Sequence, residues 1–90
     1  MVDGSGQHER PLPRPGQIYW HVEDRLYEVV ACPVRRAATD EQLVVYRALC
    51  GVHGEYACPL KAFMAPVDSA RHPRAVERWR FTRVHLEGDD

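Results

Sequence analysis

The stretch QLVVYRALCG, residues 42–51, places apolar side chains on both faces of a predicted β-strand. Side chains alternate along a strand, so every second residue shares a face. One face is wholly uncharged: Val44, Tyr46, Ala48 and Cys50. The other carries one charge: Leu43, Val45, Arg47 and Leu49. Burying the Arg47 charge without a partner of opposite charge would cost several kcal/mol of folding free energy. We therefore expect the uncharged face to form the core and Arg47 to mark the outer face.

The chain has 90 residues, which is enough for one small domain. A domain of this size buries only roughly 60–65% of its unfolded surface, so its core is small. A binding site is then expected in a surface groove. The net charge of −1 gives no general attraction to nucleic acid or to anionic membranes. All basic residues except Lys61 are arginine, which is suited to stacking and bidentate contacts but also follows genomic base composition.

The sequence contains no signal for export or for membrane insertion. Its first residues, MVDGSGQHERPLPRPG, have no apolar core. No window approaches the roughly 20 apolar residues of a membrane span. Three cysteines without a secretory signal fit reduced thiols. These features predict a cytoplasmic protein with no membrane partner.

Proline and charge divide the chain into three parts. Residues 1–15 contain Pro11, Pro13 and Pro15 and few large apolar groups, which predicts a flexible leader. Residues 85–90 form a polar acidic tail. A single folded domain is predicted between them, at residues 16–84.

Within this domain, alternating apolar patterns predict five short strands. They are Ile18 to Val22, Leu26 to Val34, the stretch 42–51, EYACPL from Glu55, and RFTRV from Arg80. At Pro33 the second strand should end, form a bulge or become an edge strand, because proline donates no ladder hydrogen bond. GVHG, residues 51–54, reads as a hairpin loop. These strands favour a partly open barrel or a strongly bent sheet.

Two short helical segments are predicted between the fourth and fifth strands. LKAFMAPV places Leu60, Phe63 and Met64 on one side of a helical turn. Pro73 suits the first position of a second short helix that ends near Trp79.

The order of several motifs resembles the bacterial domain-of-unknown-function 1653 family. The matching pieces are Gly16, Tyr19, His21, YEVV from Tyr27, Thr39, LVVYRALCG from Leu43, Pro59, Leu60, Phe63, Val67 and the RF pair at Arg80. The resemblance covers about residues 16–67 and leaves residues 68–79 outside. It implies no activity. Together with the strand pattern it predicts a mainly β fold: a small SH3-like, partly open barrel of about five short strands with one or two short helical turns.

This sequence departs from the family pattern at several polar positions. Arg36, Ala37 and Ala38 stand where the family has a His-Ser-Glu turn. Cys50 replaces a tyrosine, and Cys58 replaces an arginine. Any function that the family places on that polar turn is therefore lost or diverged in this chain.

Five residues form the predicted ligand or partner surface: Tyr19, His21, Glu28, Arg47 and Tyr56. His21 and Glu28 are expected to be neighbours across the first two strands, with Tyr19 on the same face as His21. Their simpler interpretation, which we favour, is a polar pair that holds the sheet edge. The functional interpretation is a non-catalytic module that binds a small ligand, a peptide or a protein partner. A homodimer is left open.

The segment RHPRAVERWRFTRV supports an alternative function. Its candidate nucleic-acid contacts are Arg74, Arg78, Trp79 and Arg80. Cations interleaved with aromatic rings are typical of single-strand nucleic-acid surfaces. The simpler interpretation, which we favour, is that Trp79 and Phe81 close the core while the arginines face solvent.

The cysteines and histidines give a third, weaker alternative: a metal-binding protein, or a thiol enzyme with Cys50 and His53 as its nucleophile and base. Cys50, His53 and Cys58, with Cys32 on another strand, have the composition of a zinc site. A four-residue loop that sets Cys50 opposite Glu55 would put Cys50 and Cys58 on opposite faces, with Tyr56 and Cys58 beside Arg47. Buried thiols are therefore favoured, and no metal or cofactor is predicted. No recognised catalytic motif is present, so no enzyme is predicted.

Overall fold

The computed structural model describes residues 10–51 and 54–85. In chain order its elements are β1 (Ile18–His21), β2 (Arg25–Arg35), β3 (Gln42–Ala48), β4 (Glu55–Pro59), α1 (Leu60–Phe63) and β5 (Phe81–Val84). The fold is mainly β, as predicted, and each of the five predicted strands is present with shifted ends.

The five strands form one antiparallel sheet in the order β4-β3-β2-β1-β5. The first four strands are sequential neighbours, and the chain then crosses so that β5 pairs with β1. The sheet is not closed, so β4 and β5 are its two edges. This confirms the predicted mainly β fold of about five strands, in a sheet that does not close.

Strand β2 bends where the sequence places a proline. Its pairing with β3 shifts register between Val29 and Ala31 and again between Ala31 and Val34. The second shift spans Pro33, which cannot donate a ladder hydrogen bond. Of the three outcomes expected at Pro33, the structure shows the bulge, seen as an irregular register. The resulting bend lets one long strand serve two parts of the sheet.

The core lies on the concave face of the sheet, under the turn α1. Its buried side chains are Tyr19, Val29, Val44, Leu60, Phe63, Met64 and Phe81. The rings of Phe63 and Phe81 stack with centroids 4.1 Å apart. Because Val44 is fully buried and Arg47 is exposed, the uncharged face of β3 is the core face, as predicted.

The predicted register between the third and fourth strands is wrong. Arg47 lies opposite Glu55, Tyr46 opposite Tyr56, and Val44 opposite Cys58. Strand β3 stops at Ala48, so the connection to β4 is longer than GVHG alone. The resulting shift is by an odd number of residues, which moves Tyr56 and Cys58 from the outer to the inner face.

The second predicted helix, from Pro73 to Trp79, is also wrong. Residues 72–80 contain turns and a bridge but no helix. Trp79 forms a β-bridge with Pro66, and the Val67 N–H donates to the Arg78 carbonyl at 2.9 Å. This pairing with a distant segment holds the backbone extended and competes with a short proline-started helix. The first predicted turn, at Leu60–Phe63, is present, and Leu60, Phe63 and Met64 are all buried.

The described part of the N-terminal segment runs along the edge strand β5. Arg10 Nη2 donates to the Phe81 carbonyl at 2.6 Å. The Arg10 guanidinium carbon also lies 4.6 Å from the centroid of the Trp79 ring. Pro13 is buried. The Arg10 contacts attach the start of the described chain to β5; residues 1–9 and 86–90 of the predicted leader and tail lie outside the described residues.

Candidate functional site

The five predicted surface residues do not form one surface. Tyr19, His21 and Tyr56 lie on the inner face of the sheet, whereas Glu28 and Arg47 lie on the outer face. Tyr19 and His21 share a face, as expected. The expected pairing of His21 with Glu28 is wrong, because Glu28 lies opposite Ile18, an odd number of residues from His21.

Glu28 and Arg47 form an ion pair across β2 and β3. Arg47 donates to the Glu28 Oε1 atom through Nε at 3.1 Å and through Nη2 at 2.9 Å. Both groups face the outer side, beside the partly exposed Leu26 and Val30. The pair satisfies both charges locally and interrupts the apolar outer face.

Four aromatic side chains gather at one end of the inner face: His21, Tyr27, Tyr46 and Tyr56. We call this group the aromatic rim. Tyr27 is 5.1 Å from Tyr46 and 6.2 Å from Tyr56, measured between ring centroids. Tyr46 and Tyr56 are 5.8 Å apart, and His21 is 6.2 Å from Tyr27. The rings form one continuous cluster that opens to solvent at Tyr56, which is 47% exposed.

Strand direction explains why these four residues meet. His21 ends β1, Tyr27 lies near the start of β2, Tyr46 lies near the end of β3, and Tyr56 lies near the start of β4. In an antiparallel sheet, these ends lie together at one edge of the inner face. Phe81, at the start of β5, lies beneath them, 4.7 Å from His21 and 5.5 Å from Tyr46. The rim is therefore anchored on the core.

The surroundings of two rim residues, His21 and Tyr46, disfavour their charged forms. Burial lowers the pKa of His21 below its ordinary value; the Glu23 carboxylate opposes this shift and Arg80 reinforces it. His21 Nδ1 accepts a hydrogen bond from the Glu23 N–H at 3.0 Å, so the neutral ring carries its proton on Nε2. Burial, with help from Cys58, raises the pKa of Tyr46 well above its ordinary value. The rim therefore combines apolar ring surface with hydroxyl and imidazole groups at one end of the sheet.

A scan against protein-family models matches residues 17–83 to a protein family of unknown function, DUF1653. The chain belongs to the DUF1653 family. The match extends past the resemblance seen in the sequence, so the expectation that residues 68–79 lie outside the family is wrong. Neither the curated proteins nor the solved structures contain a significant match to this DUF1653 chain. Among its described residues, no helix is long and apolar enough to cross a membrane.

The three thiols of this DUF1653 domain do not all lie together, because Cys50 is away from the other two. Cys32 and Cys58 pack against the core, and burial raises the pKa of both. Cys50 lies beyond the end of β3 and is exposed, so the expected face for it on a strand does not apply. His53 lies outside the described residues. Within residues 10–51 and 54–85, no group of three histidine, cysteine or acidic side chains is placed to hold a metal ion.

The candidate nucleic-acid residues are spread over several environments. The Arg78 guanidinium carbon lies 4.6 Å from the centroid of the Trp79 ring, the same distance as that of Arg10. Arg80 is half-buried near His21, while Arg74 is exposed on the loop before Trp79. Phe81 is buried. Trp79, the only tryptophan among the four candidate residues, thus already has two cations beside its ring.

Sequence reasoning missed Tyr27 and Tyr46 as members of the rim. Both lie in motifs shared with the family, yet alternation predicted only a core position for Tyr46 and assigned no role to Tyr27. Each is partly buried against the core and also forms the base of the exposed Tyr56. A signal was available, since three tyrosines lie near strand ends that an antiparallel meander brings together. The β3–β4 register was needed to place Tyr56 with them.

Proposed function

We propose that this DUF1653 domain is a non-catalytic binding module for a small ligand, a peptide or a protein partner. The aromatic rim is its contact surface, and a peptide segment fits this surface best. The observation that carries the proposal is the half-exposed Tyr56 ring on a base of Tyr27 and Tyr46. Tyrosine is enriched at binding hot spots because it offers a large rigid apolar ring with a polar tip.

The packing of the rim supports recognition with little ordering cost. Tyr46 contacts Phe63 at 5.7 Å and Phe81 at 5.5 Å between centroids, so its ring is held by the core. A ring that is already fixed loses little conformational entropy when a partner binds. Tyr56 is the one member with a large free surface. It is therefore expected to supply most of the contact energy.

A random peptide library displayed on phage tests this proposal. We expect peptides selected on the wild-type protein to bind the Tyr56→Ala variant about tenfold or more weakly, as for a hot-spot residue. Tyr56→Phe should retain most of the affinity if the ring provides the contact. Val76→Ala is the matched control, because Val76 is 90% exposed and outside the rim.

Two results would count against peptide recognition by the rim. One is a library that enriches no peptide on correctly folded protein. The other is a set of peptides that bind wild type and Tyr56→Ala with equal affinity.

The proposal extends to fold family, origin and location. A strand meander, a helical turn before the last strand and the return of that strand beside the first support an SH3-like, partly open barrel. Bacterial origin rests on the resemblance seen in the sequence. A cytoplasmic location is supported by the three free cysteines.

Nucleic-acid association through Arg74, Arg78, Trp79 and Arg80 is the alternative, with less support. The exposed Arg74 and Arg78 favour it, but Trp79 has Arg10 and Arg78 beside its ring. Single-stranded RNA binding that falls steeply with salt and is lost on neutralising Arg74, Arg78 and Arg80 would favour this alternative over the peptide. Undetectable binding at low salt would exclude it.

A further inference from the structure

A small pocket lies between the N-terminal segment and strand β5, and it shares no residue with the aromatic rim. We call it the arginine pocket. Its volume is about 200 Å³, and its lining residues include Arg10, Tyr19, Trp79, Thr82, Arg83 and His85. Pockets for drug-sized ligands are usually about 300–1,000 Å³, so this pocket suits a smaller group.

The charge of the arginine pocket is positive. Arg10 and Arg83 both line it, and the described lining residues include no carboxylate. Burial lowers the pKa of Arg10, although the charge interaction and the side-chain hydrogen bond with Tyr19 oppose the shift, so this cation is held in a partly desolvated place. An ion of opposite charge is attracted more strongly where water is excluded.

Two polar atoms at this pocket are buried without a hydrogen-bond partner among the described residues: Arg10 Nη1 and Thr82 Oγ1. The other terminal nitrogen, Arg10 Nη2, is held by the Phe81 carbonyl at 2.6 Å, which fixes the guanidinium in place. Buried polar groups in folded proteins are nearly always paired, so orphaned ones at a pocket indicate a missing partner. Both atoms are shielded from solvent, so a ligand must open the pocket slightly to reach them.

We propose that the arginine pocket binds the oxyanion group, a carboxylate or phosphate, of a small anionic ligand. Its oxygens accept hydrogen bonds from Arg10 Nη1 and from the Thr82 hydroxyl, and Arg83 adds charge. Guanidinium and hydroxyl donors together are a common arrangement for such groups. This site does not depend on peptide binding by the rim, so either proposal can fail alone.

Titration followed by ¹H–¹⁵N NMR on the full chain tests the oxyanion site. The probes are benzoate, its neutral counterpart benzamide, and inorganic phosphate. We expect benzoate or phosphate to shift the Trp79 indole and the Arg10 side-chain signals in a saturable manner, and benzamide to leave them unchanged. The Trp20 indole is an internal reference, because it donates to Asp24 Oδ1 at 3.2 Å and does not line the pocket.

Variants assign the binding to the two orphaned atoms. Arg10→Gln and Thr82→Val should each weaken binding about tenfold, while Arg74→Gln, which removes an exposed arginine outside the pocket, should not. Arg10→Lys keeps the charge but loses the guanidinium fork, and should also weaken binding. Thermal unfolding of each variant establishes that it is folded before its affinity is compared.

A chain shortened after His85 is titrated in parallel, because residues 86–90 carry Glu87, Asp89 and Asp90 in the sequence. Binding that strengthens in the shortened chain also supports an oxyanion site, with those carboxylates as competitors. The proposal is overturned if neither chain binds benzoate or phosphate, or if benzamide binds as well as benzoate. Equal affinity of wild type and folded Arg10→Gln overturns it too.

Discussion

His21 combines an ionisable ring with a place in an aromatic cluster. Its ring contacts Phe81 edge to face at 4.7 Å, and its Nδ1 atom accepts from the Glu23 backbone. Burial is the main cause of its lowered pKa. The protonated ring is therefore disfavoured in the folded protein relative to the unfolded chain.

We predict that His21 makes the folded state less stable as the pH falls. Below the unfolded value of about 6.5, the unfolded chain binds a proton that the folded chain resists until its own lower pKa is reached. The free energy of unfolding should fall between pH 7.5 and 5.5. In His21→Gln this fall should be smaller, as measured by urea unfolding at each pH.

His85→Gln is the control for this pH series, because His85 is exposed and outside the rim. Its profile measures how much of the fall comes from a histidine outside the rim. A His21→Gln profile parallel to that of the wild type would contradict the assignment.

Strand β3 shows how one element divides core from surface. Val44 is fully buried opposite Cys58, whereas its neighbour Val45 lies on the outer face opposite Ala57. The two residues have the same side chain and adjacent positions. They therefore form a matched pair for testing the sidedness of the sheet.

Val44→Ala should lower the free energy of unfolding by about 2 kcal/mol, because it removes two buried carbon atoms and leaves a cavity. Val45→Ala should cost less than about 1 kcal/mol, mainly through lower strand propensity. Urea unfolding midpoints of both variants measure the difference. Equal costs, or a larger cost at Val45, would reverse the assigned faces.

The elements were predictable where the signal was local. Alternation and turn residues predicted the five strands, and i, i+3, i+4 spacing predicted the turn that buries Phe63. The face of Tyr56 was not predictable in the same way, because one change in loop parity moves it across the sheet. The false helix after Pro73 failed because Val67 and Arg78, eleven residues apart, pair with each other.

The expected pairing of His21 with Glu28 was wrong for a related reason. The β1–β2 register pairs Glu28 with Ile18, not with His21. The arginine pocket was not predicted at all. It needs Arg10 and Arg83, residues far apart in the chain, and nothing local to Arg10 indicates its contact with β5.

At the scale of the whole molecule, the beginning of the described chain is attached to its last strand. Arg10 bonds the Phe81 carbonyl and lies beside Trp79, and Pro13 is buried. These contacts cover part of the β5 edge, which would otherwise present unpaired backbone groups. The N-terminal segment is therefore part of the fold from Arg10 onward.

A chain that begins at residue 14 should be less stable than one that begins at residue 10, by about 2 kcal/mol. The difference is one hydrogen bond from a charged donor, one cation–π contact and one buried proline ring. Thermal and urea unfolding of the two chains measure it. Indistinguishable midpoints would mean that the Arg10 contacts contribute nothing in solution.

Arg10 both covers the edge of β5 and lines the arginine pocket. Ligand binding in that pocket and proteolytic trimming of the N-terminal segment are therefore linked. A ligand bound to Arg10 would hold the N-terminal segment in place and slow exopeptidases at that residue. Loss of the segment that includes Arg10 would open one side of the pocket. It would also expose the edge of β5, which is then able to pair with another sheet. Loss of Arg10 would therefore remove one wall of the pocket and uncover the strand edge at the same time.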